Sequence, residues 1–157
     1  MVSILDAGSG PGHWTHLLGE HGCDTTGVDI TPDFVNSAHA RFPDIPFTVG
    51  DLLSVPFKNE SADGVLAWYS LIHMESRQRT TALQEIRRIL TPHGSLLIGG
   101  FLGAHEEPFN HAITRAFYWS AEGLSSDLQA EGFTILSRHL RKHDGQRSHL
   151  AIVAHKE

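Results

Sequence analysis

The chain has 157 residues, 40% apolar and 19% charged, which suits one globular domain long enough to bury a core. Its formal net charge is -6, and its Arg and Lys residues are scattered apart from Arg138, Arg141 and Lys142, so no basic stripe marks a nucleic-acid binder. The lone Cys23 cannot form an internal disulfide, and there is neither a signal-peptide core nor an apolar run of ~18 residues, so the expectation is a cytoplasmic protein with no membrane partner.

Residues 2–5 read as a buried strand. A helix over 12–21 follows, with Trp14, Leu17 and Leu18 on one face and Gly22 as its stop. Residues 25–30 form a second strand. Thr31 then stands as an N-cap with Pro32 at the first helical position, and that helix runs to about Phe42. A short third strand covers 47–49. A fourth, over 62–69, is nearly all apolar, as a strand covered on both faces should be. The helix over 76–90 has the clearest period, with Leu83, Ile86, Ile89 and Leu90 on one stripe. Thr91-Pro92-His93-Gly94 breaks it ahead of a fifth strand over 95–101. Residues 102–118 show no regular period. Ser120 caps a helix through Glu131, and two last strands, 133–139 and 148–154, meet across the Asp144-Gly145 turn signal. This alternation predicts an α/β fold in a single domain over 1–157. The sheet should be Rossmann-like, doubly wound and seven-stranded, mostly parallel with one antiparallel strand near the C-terminus.

In an open parallel sheet, ligands bind beyond the carboxyl ends of the strands. The first strand ends in Leu5-Asp6-Ala7-Gly8-Ser9-Gly10-Pro11-Gly12, where missing side chains let a ligand touch the backbone at a helix start. Asp29 closes the second strand, at the place where an acid accepts from ribose hydroxyls. Asp51-Leu52 follows the third strand, where a carboxylate can accept from an exocyclic amine such as adenine N6. Three acids closing three successive strands describe a nucleoside site with more negative charge than a pyrophosphate would tolerate. That excess suits a ligand carrying positive charge. A dinucleotide-binding oxidoreductase would place the third glycine one position later and would leave Asp51 without a role.

The residues LDAGSGPG, GVDIT and VGDLLSVPF, in this order, resemble the first three motifs of the class I S-adenosylmethionine-dependent methyltransferases. ADGVLAWYSLIHM and LQEIRRILTPHGSLLIGGF resemble that family's fourth strand and its following helix, turn and strand, and LQAEGFTIL its last helix and sixth strand. The resemblance implies S-adenosylmethionine as cofactor and S-adenosylhomocysteine as product. It implies that Gly8 and Gly10 lie against the methionine part and that Asp6 holds its amino end. It further implies that Asp29 binds the ribose, with Ile30 against the adenine, and that Asp51 and the Leu52 backbone read the adenine edge. Ala67 and Trp68 would line the methionine side.

The fourth strand lacks the Asn/Asp-Pro-Pro-Tyr/Phe pattern of the amino-directed branch that acts on nucleic-acid bases and glutamine. Ala67-Trp68-Tyr69-Ser70-Leu71-Ile72-His73 resembles the small-molecule branch instead, so the expected partner is a small-molecule methyl acceptor. His73 is the candidate base or substrate contact, since its ordinary pKa lies near neutrality. His105, Glu106, Glu107 and His111 fit no metal-ligand spacing, and no metal is expected. Residues 102–119, with His105, His111, Arg115, Tyr118 and Trp119, are expected to wall the acceptor side.

Members of this family usually carry helices before the first strand, whereas here the strand follows Met1 directly. The resemblance then implies an open cofactor site, and apolar surface that would favour self-association. An alternative expectation is an S-adenosylmethionine-binding domain with weak activity and an interaction role.

Overall fold

The computed structural model describes residues 1–111 and 114–157. The chain runs β1 (Ser3–Ala7), α1 (His13–Glu20), β2 (Asp24–Asp29), α2 (Pro32–Arg41), β3 (Phe47–Val49), β4 (Ala62–Trp68), α3 (Ser76–Ile89), β5 (Leu90–Leu102), β6 (Glu107–His111), β7 (Thr114–Trp119), α4 (Ala121–Ala130), β8 (Phe133–Arg141) and β9 (Ser148–Lys156). Among the described residues, no helix is long and apolar enough to cross a membrane.

The expected Rossmann-like sheet is present. Strands β3, β2, β1, β4 and β5 lie side by side and parallel. β9 runs antiparallel between β5 and β8, as the one reversed strand near the C-terminus. Strand order reverses at β1, which has β2 on one side and β4 on the other. The crevice that such a reversal opens lies above Gly8.

Among the described residues the sheet has nine strands rather than seven. The additional pair is the antiparallel hairpin β6–β7, in the segment where no regular period was expected. Phe101 and Leu102 pair with β7 on one edge of β5 and with β9 on the other. β4 pairs with the same edge as β7, lower down, so the hairpin stands over the carboxyl end of β4. β5 also begins earlier than expected. Leu90 already pairs with Ala62, and a register shift absorbs Thr91–Gly94 before Ser95 meets Gly64.

One continuous core joins the sheet to α3 and α4. α3 turns Ala82, Leu83, Ile86 and Ile89 inward, each essentially inaccessible, at about 1.5–3 kcal/mol for each of the large side chains. The Ser120 hydroxyl accepts from the Gly123 amide and starts α4, as its sequence position implies. Thr31 is the N-cap residue of α2, but its side chain caps nothing. Its amide instead donates to Asp29.

Candidate functional site

The glycine loop joins β1 to α1 through backbone that side chains could not follow. Gly8 has φ +85°, and a Cβ there would sit 2.2 Å from the Ser70 Cβ, so β1 and the segment after β4 meet backbone to backbone. Gly10 has φ +54°, and a Cβ there would meet nothing within 4 Å. Its backbone therefore faces open space, as a ligand-bearing loop requires. The amides of Gly8 and Ser9 both donate to the Val28 carbonyl, which ties the loop to the end of β2.

Two carboxylates lie beneath this loop. Asp29, 9% exposed, accepts from the Gly10 amide at 2.8 Å on one oxygen and from the Thr31 amide at 2.9 Å on the other. Each oxygen keeps a lone pair for a further donor. Asp6, 2% exposed, accepts from the Thr15 hydroxyl at 2.7 Å. Burial pushes the Asp6 carboxyl up to about 6, the Thr15 hydrogen bond opposes the shift, and the negative charge of Asp29 adds to it. A cation placed at the loop would relieve both the desolvation and the repulsion. The sequence-predicted pair thus stands together, with the charge balance of a site for a cationic group.

Thr15 was not anticipated. Helical spacing assigns the inner face of α1 to Trp14, Leu17 and Leu18. In the structure Thr15 is the buried residue of that helix, Trp14 is half exposed and Leu17 is exposed. An acid buried at the end of β1 needs a donor, and the third residue of α1 supplies it.

Farther along the sheet edge, Ile30 is 64% exposed at the carboxyl end of β2, an apolar surface beside Asp29. Asp51 is exposed and accepts from the Leu53 amide at 2.9 Å, while the Leu52 side chain is buried in the core. Ala67 is fully buried at the end of β4. Trp68 lies over Gly99, where a Cβ would come within 2.6 Å of its ring, and it meets Trp14 edge-on at 6.2 Å.

The acceptor-side residues separate into different roles. His73 is exposed, and its Nδ1 donates to the Arg115 carbonyl at 2.9 Å. With the Arg115–Glu75 ion pair and the Phe117 amide donating to the Ile72 carbonyl, it ties the hairpin to the segment after β4. Trp119 is no wall residue. It is buried against Gly100, with the Arg79 guanidinium over its ring at 5.6 Å. Tyr118 stacks on Phe109 at 4.2 Å, and His111 lies 5.4 Å from the Phe101 ring. His105 is exposed in the turn before β6.

In the sequence, Tyr69 with Trp68 holds the place of a pocket-wall aromatic, and no signal marks His149. Tyr69 follows β4 in a left-handed conformation, φ +59°, and its phenol is hydrogen-bonded to His149 Nδ1 on β9. Both face a cavity of about 640 Å3, together with Trp68, His139, Arg141 and Ala151. Burial raises the Tyr69 phenol above its ordinary value, and the charge of Arg141 partly offsets this. The His149 imidazole is lowered by burial first, then by His143 and Arg141. Both groups are therefore neutral near pH 7, a state in which the phenol can donate to Nδ1.

Comparison with known proteins bears on the whole arrangement. A family model described as "Methyltransferase domain" matches residues 4–94, from β1 into the first residues of β5. The O-methyltransferase cnsE of Penicillium expansum is 30% identical over 146 residues, covering 85% of this chain and 52% of its own length. The O-methyltransferase resE of Aspergillus sclerotiorum is 33% identical over 148 residues, 85% of this chain and 55% of its own. The chain therefore spans about half the length of these curated relatives. Among solved structures, a SAM-dependent methyltransferase from Methanosarcina mazei superposes with a TM-score of 0.89 at 18% identity, over 98% of this chain and 92% of that one. A Burkholderia thailandensis 1,6-didemethyltoxoflavin-N1-methyltransferase, solved with its acceptor and S-adenosylhomocysteine, gives 0.85 at 24% identity, over 98% and 70%. At these identities the structural likeness speaks for the fold.

Proposed function

The chain belongs to the class I S-adenosylmethionine-dependent methyltransferases, and from that premise we propose that it binds S-adenosylmethionine and transfers its methyl group to a small-molecule acceptor by in-line displacement. The observation that carries this reading is the pair Asp6 and Asp29 under an open glycine loop, with Asp6 pushed up to about 6 by burial and by the negative charge of Asp29. Asp6 faces the cationic methionine end, with Gly8 and Gly10 offering backbone to it. Asp29 accepts from the ribose hydroxyls on the lone pairs that its two amide donors leave. Ile30 gives the adenine an apolar face, and Asp51 with the Leu52 backbone meets its polar edge. Ala67 and Trp68 close the methionine side at the end of β4, and His73 stands on the acceptor side.

When bound, S-adenosylmethionine supplies a methyl group on a sulfur that is already a charged leaving group. What the protein adds is alignment of acceptor and methyl, which can lower the barrier by ~7–11 kcal/mol in the best-oriented cases. A side-chain base enters only where the acceptor must lose a proton. The O-methyltransferase names of the curated relatives support an oxygen acceptor for this chain as well.

Calorimetric titration with S-adenosylmethionine and S-adenosylhomocysteine tests the cofactor. Saturable heat with both is expected, and no heat at millimolar ligand rejects the reading. Methyl transfer from labelled S-adenosylmethionine to a panel of phenols, carboxylic acids and amines tests the chemistry. Tight binding without transfer to any of them would favour a binding domain over an enzyme.

A further inference from the structure

The end of β4 holds a polar pair that the cofactor reading leaves without a task. Tyr69 keeps a left-handed backbone that a residue with a side chain adopts only when its surroundings impose it, and such strain gathers at functional sites. Its amide donates to the Gly99 carbonyl, and its ring is packed edge-on between Trp68 at 5.2 Å and Phe101 at 5.0 Å. The phenol is therefore held in one place, against His149 from β9, at the wall of the 640 Å3 cavity. The next residue, Ser70, abuts Gly8, so the pair stands one residue from the contact between the β4 end and the glycine loop. The cavity therefore lies beside the loop to which the methyltransferase reading assigns the methyl donor.

We propose that Tyr69 and His149 are the proton-accepting pair of the methyl-transfer site, and that the acceptor in the cavity presents a weakly acidic hydroxyl, phenolic or enolic. This deepens the methyltransferase reading and rests on it. The acceptor O–H bond breaks and its proton passes to the Tyr69 oxygen, while the Tyr69 proton passes to His149 Nδ1. The electron pair left on the acceptor oxygen forms the bond to the methyl carbon, and the pair of the broken carbon–sulfur bond stays on sulfur. One positive charge enters with the cofactor and one leaves as a proton on His149.

The surroundings suit this relay. Neutral imidazole is the form that can take a proton, and burial, His143 and Arg141 favour that form. The same neighbours make the imidazolium a ready donor to water, so the pair resets. The charged and titratable groups around His149 come from several elements. They are Tyr69 after β4, Tyr118 on β7, His139 and Arg141 on β8, and His143 and Arg147 in the turn before β9. His93, exposed at the opposite end of β5, is the control position.

The test uses 4-nitrophenol, whose phenolate is yellow, with protein saturated by S-adenosylhomocysteine. Binding is expected to raise the phenolate fraction of the probe below its free pKa. Tyr69→Phe and His149→Asn should each cut that gain at least fivefold, and Asn should do so while still accepting the phenol's hydrogen bond. His93→Asn should leave it within twofold. Equal phenolate in all four proteins overturns the inference, as does failure of 4-nitrophenol, catechol and 2-naphthol alike to bind at millimolar concentration. Calorimetry with S-adenosylhomocysteine on the same samples separates the two levels. Cofactor binding with an unresponsive probe removes only the Tyr69–His149 role, whereas no cofactor binding removes the underlying reading.

Discussion

Asp6 carries an unfavourable charge until something positive arrives. Its carboxyl titrates near 6 in the folded protein against an ordinary 3.8. Between those values the folded state holds more protons than the unfolded state, so stability falls as pH rises through the window and is lowest above it. Two units correspond to roughly 2–3 kcal/mol. Asp6→Asn keeps an acceptor for the Thr15 hydroxyl and removes the charge. The variant should be more stable than the parent at neutral pH, by up to about 2 kcal/mol, and should lose the pH dependence of the urea midpoint between about pH 4 and 7. It should also bind the cationic S-adenosylmethionine more weakly. A wild-type pH slope in Asp6→Asn would mean that another group titrates there. Asp29 differs because its charge is satisfied by two backbone amides. Asn presents one oxygen and one NH2, so one amide loses its acceptor. Asp29→Asn should weaken S-adenosylhomocysteine binding tenfold or more, on the order of 1.5–3 kcal/mol. Calorimetry on samples verified as folded checks this, and an unchanged Kd would place the ribose elsewhere.

At the level of elements, what could be read in advance depended on whether a segment is specified locally. β2, β3 and the turn into α4 carry their own signals, in apolar runs, Thr31-Pro32 and Ser120, and they fold close to where those signals lie. The hairpin β6–β7 carries none. Its first strand, Glu107–His111, is mostly exposed, so no alternation of apolar and polar residues is written into it. It exists because β5 extends beyond β4 and offers an open edge, and because His73, Ile72 and Glu75 hold it down. The candidate site divides in the same way. Asp6, Asp29 and Asp51 each close a strand and are visible one at a time. Tyr69 and His149 are 80 residues apart and meet only because β9 inserts beside β5. Arg79 shows how the added hairpin is fastened. Buried on α3, it pairs with Glu106 ahead of β6 and with Asp127 on α4, and it covers Trp119. Breaking a buried pair typically costs about 3–5 kcal/mol, but both carboxylates are more than a third exposed and water can reach them. Arg79→Met, which keeps the packing, should therefore lose only about 2–3 kcal/mol of stability by urea denaturation. A neutral effect would show that the pair serves some purpose other than stability.

Across the whole molecule, the sheet divides the work at β1 and β4. The ends of β1, β2 and β3 hold most of the groups assigned to the cofactor, with Ala67 and Trp68 added from β4, and the ends of β4, β8 and β9 hold the cavity with Tyr69 and His149. Beyond the β1–β4 pairing, Gly8 meets Ser70 where the ends of the two halves adjoin. A ligand seated on the first half binds the folded state alone, so it must stabilise the entire cooperative unit by mass action, about 2.7 kcal/mol at a hundredfold excess over Kd. For a chain of this length that raises Tm by about 5–10 °C. S-adenosylhomocysteine should produce this shift in a thermal melt. Asp29→Asn, at the same ligand concentration, should recover only part of it, since a tenfold weaker Kd removes about 1.4 kcal/mol of the linkage. Tyr69→Phe, on the other half, should show the full parental shift even where it abolishes ionisation of a bound phenol. Loss of the shift in Tyr69→Phe would mean that the phenol supports the cofactor half as well, and that the two sites are not separable at the β1–β4 boundary.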